Sequence, residues 1–172
     1  MDQERLIICN TSPLINLAEI GLLDVLEALP GEVCIPRGVR DEVMSKSGLF
    51  AKAALAAGSG RFRVLPLAGG LLVRSFSATL HRGEAECLAA SMEHSGSLLI
   101  LDDLSARAAA SANGLPFTGT LGLLAAAKAR GQIAELAPVL HQLRTKARFW
   151  ISSQLERELL QQAGEVTGAQ RD

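Results

Sequence analysis

Five short apolar runs, each bounded by polar or turn-forming residues and separated from the next by helix-patterned sequence, constrain this chain more than any other feature. They are LIIC (6–9), EVCIP (32–36), RFRVLPL (61–67), SLLILDD (97–103) and LPFTGT (115–120). Strands that alternate with helices pair in parallel, because a parallel connection needs a crossover of a dozen or more residues, usually a helix. A parallel sheet is buried on both faces, which explains why LIIC and the LLIL of the fourth run are apolar throughout, while RFRVLPL alternates as a strand with one open face does. The expected fold class is therefore α/β, with three α/β/α layers around a central, mostly parallel sheet.

Helix signals fill the gaps. Ser12-Pro13 reads as an N-cap followed by the first helical position, with Leu14, Leu17 and Ala18 on one face. A second short helix over Leu22–Leu26 stops at Pro30-Gly31, and PRGVRDEVMSK opens another. The Ala-rich stretch to Gly58, the segment GGLLVRSFSATL, the segment GEAECLAASMEHSG and the segment LSARAAASANG follow as helices. From Gly122 onward the region is mostly helical, and the last residues are expected to fray. At 172 residues and 48% hydrophobic composition, one domain over 1–165 with a tail over 166–172 is expected.

Composition narrows the function. Seventeen Lys plus Arg against eighteen Asp plus Glu give a formal net charge of −1, so nucleic acid has to be held by a local basic patch. Cys9, Cys34 and Cys87 form no CxxC pair and read as buried thiols in a reducing cytosol. His81, His94 and His141 have no zinc-finger spacing. No apolar stretch approaches 18 residues and the N-terminus lacks a signal-peptide layout, so a cytoplasmic protein with no membrane span is expected.

Ligands of open parallel sheets bind beyond the carboxyl ends of the strands. The polar residues that follow apolar runs are Asn10-Thr11-Ser12, Asp102-Asp103 and Thr118-Gly119-Thr120. Glu42 lies a turn or so into a helix that starts at a strand end, and Glu84 and Glu86 fall in the first turn of another. Clustered carboxylates repel unless a cation neutralises them, and oxygen-only donors suit Mg²⁺ or Mn²⁺. Such an ion could support phosphodiester hydrolysis. Each piece also has a plainer reading: Asp103 as an N-cap, Glu84 as a first-turn acid, Glu42 on a solvated face, and the Thr residues and Ser12 as caps.

The ordered motifs CNTSPLI, IPRGVRDEV, RGEAE, LLILDD and TGTLGLL, spread from about Leu6 to Gly164, resemble the PIN domain (PilT N-terminus). The resemblance is greatest to a subfamily with a glycine-threonine-leucine-glycine motif, related to VapC-like toxins. It implies a metal-dependent ribonuclease with an acidic site. The first acidic position matches Asn10, the second Glu42, the third Glu84 with Glu86 beside it, and the fourth Asp103 with Asp102 beside it. The small hydroxyl position matches Thr118 or Thr120. Glu42, Glu84 and Asp103 are then the catalytic acids, and with Asn10 they form the metal set.

Asn10 departs from the family pattern. An amide oxygen can ligate Mg²⁺ but brings no charge and cannot act as a base. A catalytically weak domain that binds RNA or a protein is therefore the alternative. A third reading, an unrelated binding domain whose carboxylates are only caps, requires Glu42, Glu84 and Asp103 not to converge.

For RNA, Arg37, Arg40, Lys46, Arg82, Arg107, Lys128 and Arg130 are the basic residues near the acidic motifs. RTKARFW offers either base stacking on Phe149 and Trp150 or a solvated helix face followed by two core aromatics. The apolar segment IGLLDVLEAL and the Leu-rich C-terminal helix suggest surplus hydrophobic surface for a homodimer or an antitoxin-like partner. As a resemblance, VapC-like toxins form dimers and are blocked by a small protein.

Overall fold

A computed structural model describes residues 5–46, 51–66 and 70–165 of the chain. Its core is a five-stranded, all-parallel sheet in the order β3-β2-β1-β4-β5, with β1 at Leu6–Cys9, β2 at Glu32–Pro36, β3 at Arg63–Leu65, β4 at Leu98–Ile100 and β5 at Phe117–Thr118. Helices flank the sheet in an α/β/α arrangement, as the alternation of patterns predicts. The central strands pair Ile7 with Val33 and Ile8 with Leu99. Ile8, Cys9, Ile35, Leu99 and Ile100 have no exposed surface, which is why the centres of their strands hold no charged residue.

The strand order fixes the position of the site. The chain moves outward from β1 to β2 and β3, then returns across the sheet to add β4 on the other side of β1. The winding direction reverses between β1 and β4, and a crevice opens at the carboxyl ends of strands at such a switch point. Asn10 follows β1 and Asp102-Asp103 follow β4, so the two polar breaks are neighbours. The Asn10 N–H continues the ladder by donating to the Ile100 carbonyl at 3.1 Å.

The helices are α1 (Thr11–Glu19), α2 (Asp24–Glu27), α3 (Arg37–Ser45), α4 (Ala51–Gly58), α5 (Gly70–Ser77), α6 (Arg82–Glu93), α7 (Leu104–Ala112), α8 (Thr120–Ala129), α9 (Leu136–Thr145) and α10 (Ser153–Gln162). The cap of α1 is Asn10 and not Ser12, so Pro13 falls later in the first turn. Proline is accommodated there because the first amides of a helix have no partner within it. The predicted positions 47–50, 67–69 and 166–172 lie outside the described residues.

Two expectations about surfaces are corrected. Val25, Leu26 and Leu29 of the IGLLDVLEAL segment are buried in this domain, so that segment supplies little free apolar surface. Trp150 is 81% exposed, so it is not a core aromatic, whereas Phe149 packs partly buried against the core. Among the described residues no helix is long and apolar enough to cross a membrane. All three cysteines are buried and free, and burial raises the thiol pKa of each.

Gly31, at φ +144°, sits where β2 first meets β1: a Cβ there would lie 2.1 Å from the Arg5 carbonyl oxygen, which accepts from the Glu32 N–H at 2.9 Å. Gly31→Ala is expected to cost on the order of 2 kcal/mol, read as a lower urea midpoint. An unchanged midpoint would show that this edge can shift freely.

At the other end, Glu165 accepts from the Ala137 N–H at 2.8 Å and from Lys128 Nζ at 2.9 Å, and so caps α9, whose own Glu135 makes no side-chain cap. Burial pushes the Glu165 carboxyl up, but hydrogen bonds from the Leu136 amide, Lys128 and the Ala137 amide outweigh it and lower its pKa from 4.5 to about 2. A depressed carboxylate contributes stability above its unfolded pKa and loses it as pH falls through the folded one. Glu165→Gln should therefore lower the thermal midpoint at neutral pH, with the difference from wild type fading between about pH 4.5 and about pH 2. A difference that does not vary with pH would refute this assignment.

Candidate functional site

Strand ends deliver the first polar groups. Asn10 is 3% exposed and caps α1 only through its backbone, since its side chain makes no cap bond. Among the described residues, its Oδ1 accepts only from the weak Cys87 thiol donor at 3.9 Å. The neighbouring Thr11 hydroxyl donates to Glu42 Oε2 at 2.8 Å, which ties the end of β1 to α3. The Thr11 side chain is thus not a cap. Ser12 is exposed.

Glycine brings α6 up to this corner. A Cβ on Gly83 would lie 3.5 Å from both Asn10 Oδ1 and Glu42 Oε2, so the two oxygens face the same small gap. Glycine in a first helical turn is unfavourable by propensity, and the close approach is its reason. Gly83, Asp41, Glu42, His81 and Arg82 line an open cleft of about 420 Å³.

Glu84 and Asp103 complete the acidic set, and both also act as caps. Glu84 Oε2 accepts from the His81 N–H at 3.1 Å, and Asp103 Oδ1 accepts from the Ala106 N–H at 2.9 Å at the start of α7. These plainer readings hold without exhausting the carboxylates. Burial raises the Glu84 pKa, and the nearby charges of Asp103 and Glu42 raise it further against the lowering effects of the His81 amide and ring. Glu84 is therefore within electrostatic reach of both Glu42 and Asp103. Lys46, at 3.2 Å from Glu42 Oε1, offsets part of this charge from the rim.

The neighbouring acids behave differently. Asp102 accepts from the Thr120 N–H at 2.8 Å, the Thr120 hydroxyl at 2.6 Å and Asn16 Nδ2 at 3.0 Å, which joins β4, α8 and α1. Glu86 is 2% exposed and accepts from the Gly38 N–H at 2.6 Å and Arg82 Nε at 2.8 Å. Thr120 is fully buried against Asp102, and Thr118 Oγ1 packs against Gly122. Asp102 and Glu86 are thus engaged on every side by the fold.

Of the basic residues, Arg82 lines the cleft, while Arg37 and Arg40 approach Asp41 only loosely, at 4.0 Å each. The Arg107 guanidinium lies over the Phe117 ring, 5.3 Å from its centroid. Lys128 is committed to Glu165. Sequence reasoning missed Gly38, Gly83, His81 and Asn16. The available signals were the two Arg-Gly pairs that open α3 and α6, and an Asn inside the apolar face of α1.

The donor chemistry fits a hard cation. The oxygens are carboxylates and one nearly unpartnered amide, the gap at Gly83 is one a methyl group would fill, and Glu84 carries an uncompensated charge cost. Among the described residues no three His, Cys, Asp or Glu side chains are already gathered around one point, so the amide and the outer acids would have to close together on an ion.

The sign of the Glu84 shift gives a test. Its proton is held more tightly in the folded than in the unfolded chain, so its ionisation opposes folding above the carboxylate range and costs nothing below it. Glu84→Gln should raise the thermal midpoint at pH 7 by about 2 °C, with the gain lost below about pH 4. A gain that persists at low pH would show that the cost of the Glu84 charge, set first by burial and then by its acidic neighbours, is not its cause.

No curated protein matches the chain. A family model described as DUF3368, a PIN domain, matches residues 6–165, nearly the whole length and every element of the site. With this sheet order and this acidic crevice, the chain belongs to the PIN-domain family, whose fold is of nuclease type.

Proposed function

We propose that the protein is a metal-dependent endoribonuclease that hydrolyses RNA phosphodiester bonds. The observation that supports the reading is that Asn10 and Glu42 oxygens face one gap at Gly83, while Glu84, close enough to feel the charges of both Glu42 and Asp103, has its own charge penalised. Mg²⁺ or Mn²⁺ held by those four residues would polarise the phosphate and lower the pKa of an attacking water.

The chain's own residues do the rest. Asn10 contributes a neutral oxygen and stays fixed by burial. Glu42, held by the Thr11 hydroxyl, and Glu84, held by the His81 amide, present carboxylate oxygens from two helices. Asp103 does so from the end of β4. Arg82, with Arg37 and Arg40 further out, gives the acidic crevice a basic edge on which the RNA backbone can rest, and Arg107 supplies charge on the β5 side.

The resemblance to VapC-like proteins extends the reading to the toxin of a two-gene module, cytoplasmic, homodimeric and held in check by a small antitoxin. A second reading is favoured by one observation, the amide at position 10: a catalytically weak domain that binds RNA or a protein.

RNA cleavage separates them. Single-stranded and structured RNAs should be cut in Mg²⁺ or Mn²⁺ and left intact in EDTA. Glu42→Gln and Asp103→Asn, which preserve the Thr11 bond and the α7 cap, should each lower the rate about a hundredfold or more. Full activity in both variants rejects the nuclease assignment. An inactive wild type that gains cleavage on Asn10→Asp establishes the second reading.

A further inference from the structure

Glu86 is a buried carboxylate that the proposed chemistry does not use. Its two oxygens have different tasks. Oε2 accepts from the Gly38 N–H at 2.6 Å, in the first turn of α3, where Pro36 at the cap position has no side chain to offer. A Cβ at Gly38 would come within 2.8 Å of the Glu86 carboxylate, so the glycine is what admits it. Oε1 accepts from Arg82 Nε at 2.8 Å. The Arg82 guanidinium, 57% exposed along its side chain, also meets Asp41 Oδ2 at 3.5 Å.

Arg82 is thus held at two of its nitrogens while it lines the same cleft as Glu42. A guanidinium carries five N–H donors in a fixed fork. With Nε and one terminal nitrogen engaged, the remaining donors have a set direction, and a phosphate is the anion whose geometry suits that fork. A free surface Arg would lose side-chain entropy on binding, whereas this one has already lost it.

We propose that Glu86 is a positioning residue that orients the Arg82 guanidinium as a preformed clamp for an RNA phosphate at the lip of the acidic cleft. The inference rests on RNA as the substrate and assigns the site a fixed phosphate contact outside the acidic set. The same carboxylate links α3, which carries Glu42, to α6, which carries Glu84, so the clamp and the acids share one frame.

The test is a double-mutant cycle on the full chain, with a short fluorescent single-stranded RNA and anisotropy in EDTA, so that binding is read without turnover. Glu86→Gln keeps an amide oxygen for the Gly38 N–H but turns no acceptor toward Arg82. It and Arg82→Gln should each weaken binding about tenfold, and the double variant should bind no worse than Arg82→Gln alone. Arg82→Lys, which keeps the charge without the fork, should not restore affinity; this arm holds even if Glu86→Gln fails to fold. In cleavage assays the Glu86→Gln and Arg82 variants should raise KM more than they lower kcat.

Effects that add independently, or full rescue by Lys, overturn the clamp, and if the wild type still cleaves RNA the nuclease reading stands. Coupled losses of binding in a protein that does not cleave support the clamp and reject the nuclease. A wild type that does not bind RNA overturns both.

Discussion

Parallel pairing of β1 with β4, on the side of β1 opposite β2, is the constraint on which the remainder of this structure depends. Both faces of the sheet are covered at its centre, so β1 and β4 have no place for a polar side chain until they end. Because the winding reverses between these two strands, their ends are adjacent, and the first residues free to be polar, Asn10 and Asp102-Asp103, meet there. The helices that follow β2 and cross back toward β4 then present Glu42 and Glu84 to the same place. An acidic crevice is the outcome of topology before it is a matter of individual side chains.

The acidic residues divide by what satisfies them. Asp102 is bound by an amide, a hydroxyl and a carboxamide, Glu86 by an amide and a guanidinium, and Glu165 by helix amides and a lysine. Each is a junction where one carboxylate fixes elements distant in sequence, and bonds of this charge-assisted kind are stronger than neutral ones. Glu84 is the opposite case: it accepts one backbone bond, and its proton is held by burial and by the neighbouring charges of Asp103 and Glu42. A carboxyl whose environment penalises its charge is a candidate for chemistry, whereas one whose charge is fully bonded belongs to the scaffold.

Much of this was legible in the sequence because it depends on pattern. Apolar or alternating runs mark strands, and the polar residues that interrupt them mark strand ends, so the five strands and the places of Asn10 and Asp102-Asp103 after β1 and β4 could be read directly. What was not legible depends on three-dimensional proximity. Glu84 and Glu86 are two residues apart and look alike as text, yet one lies beside the cleft and the other faces into α3. Asp102 and Asp103 differ in the same way, since the turn after β4 sends one toward Asn16 and Thr120 and the other to the cap of α7. The burial of Leu26 and the exposure of Trp150 likewise follow from packing between remote segments, which local periodicity does not encode.

Asn10 shows how far a site of this kind can be altered without losing its shape. An amide is nearly isosteric with a carboxylate, so the close approach of Gly83 and the burial against Cys87 are preserved while one unit of negative charge is removed. That removal acts in two directions. The amide adds no charge to those of Asp103 and Glu42, which together with burial raise the Glu84 pKa, and on the proposed reading it would weaken the attraction for a divalent cation. Deep burial of a charged group at position 10, beside a thiol that burial keeps protonated, would also carry a desolvation cost that the amide avoids. On the proposed reading, the amide would spare the domain a buried charge and leave the attraction for a cation to Glu42, Glu84 and Asp103.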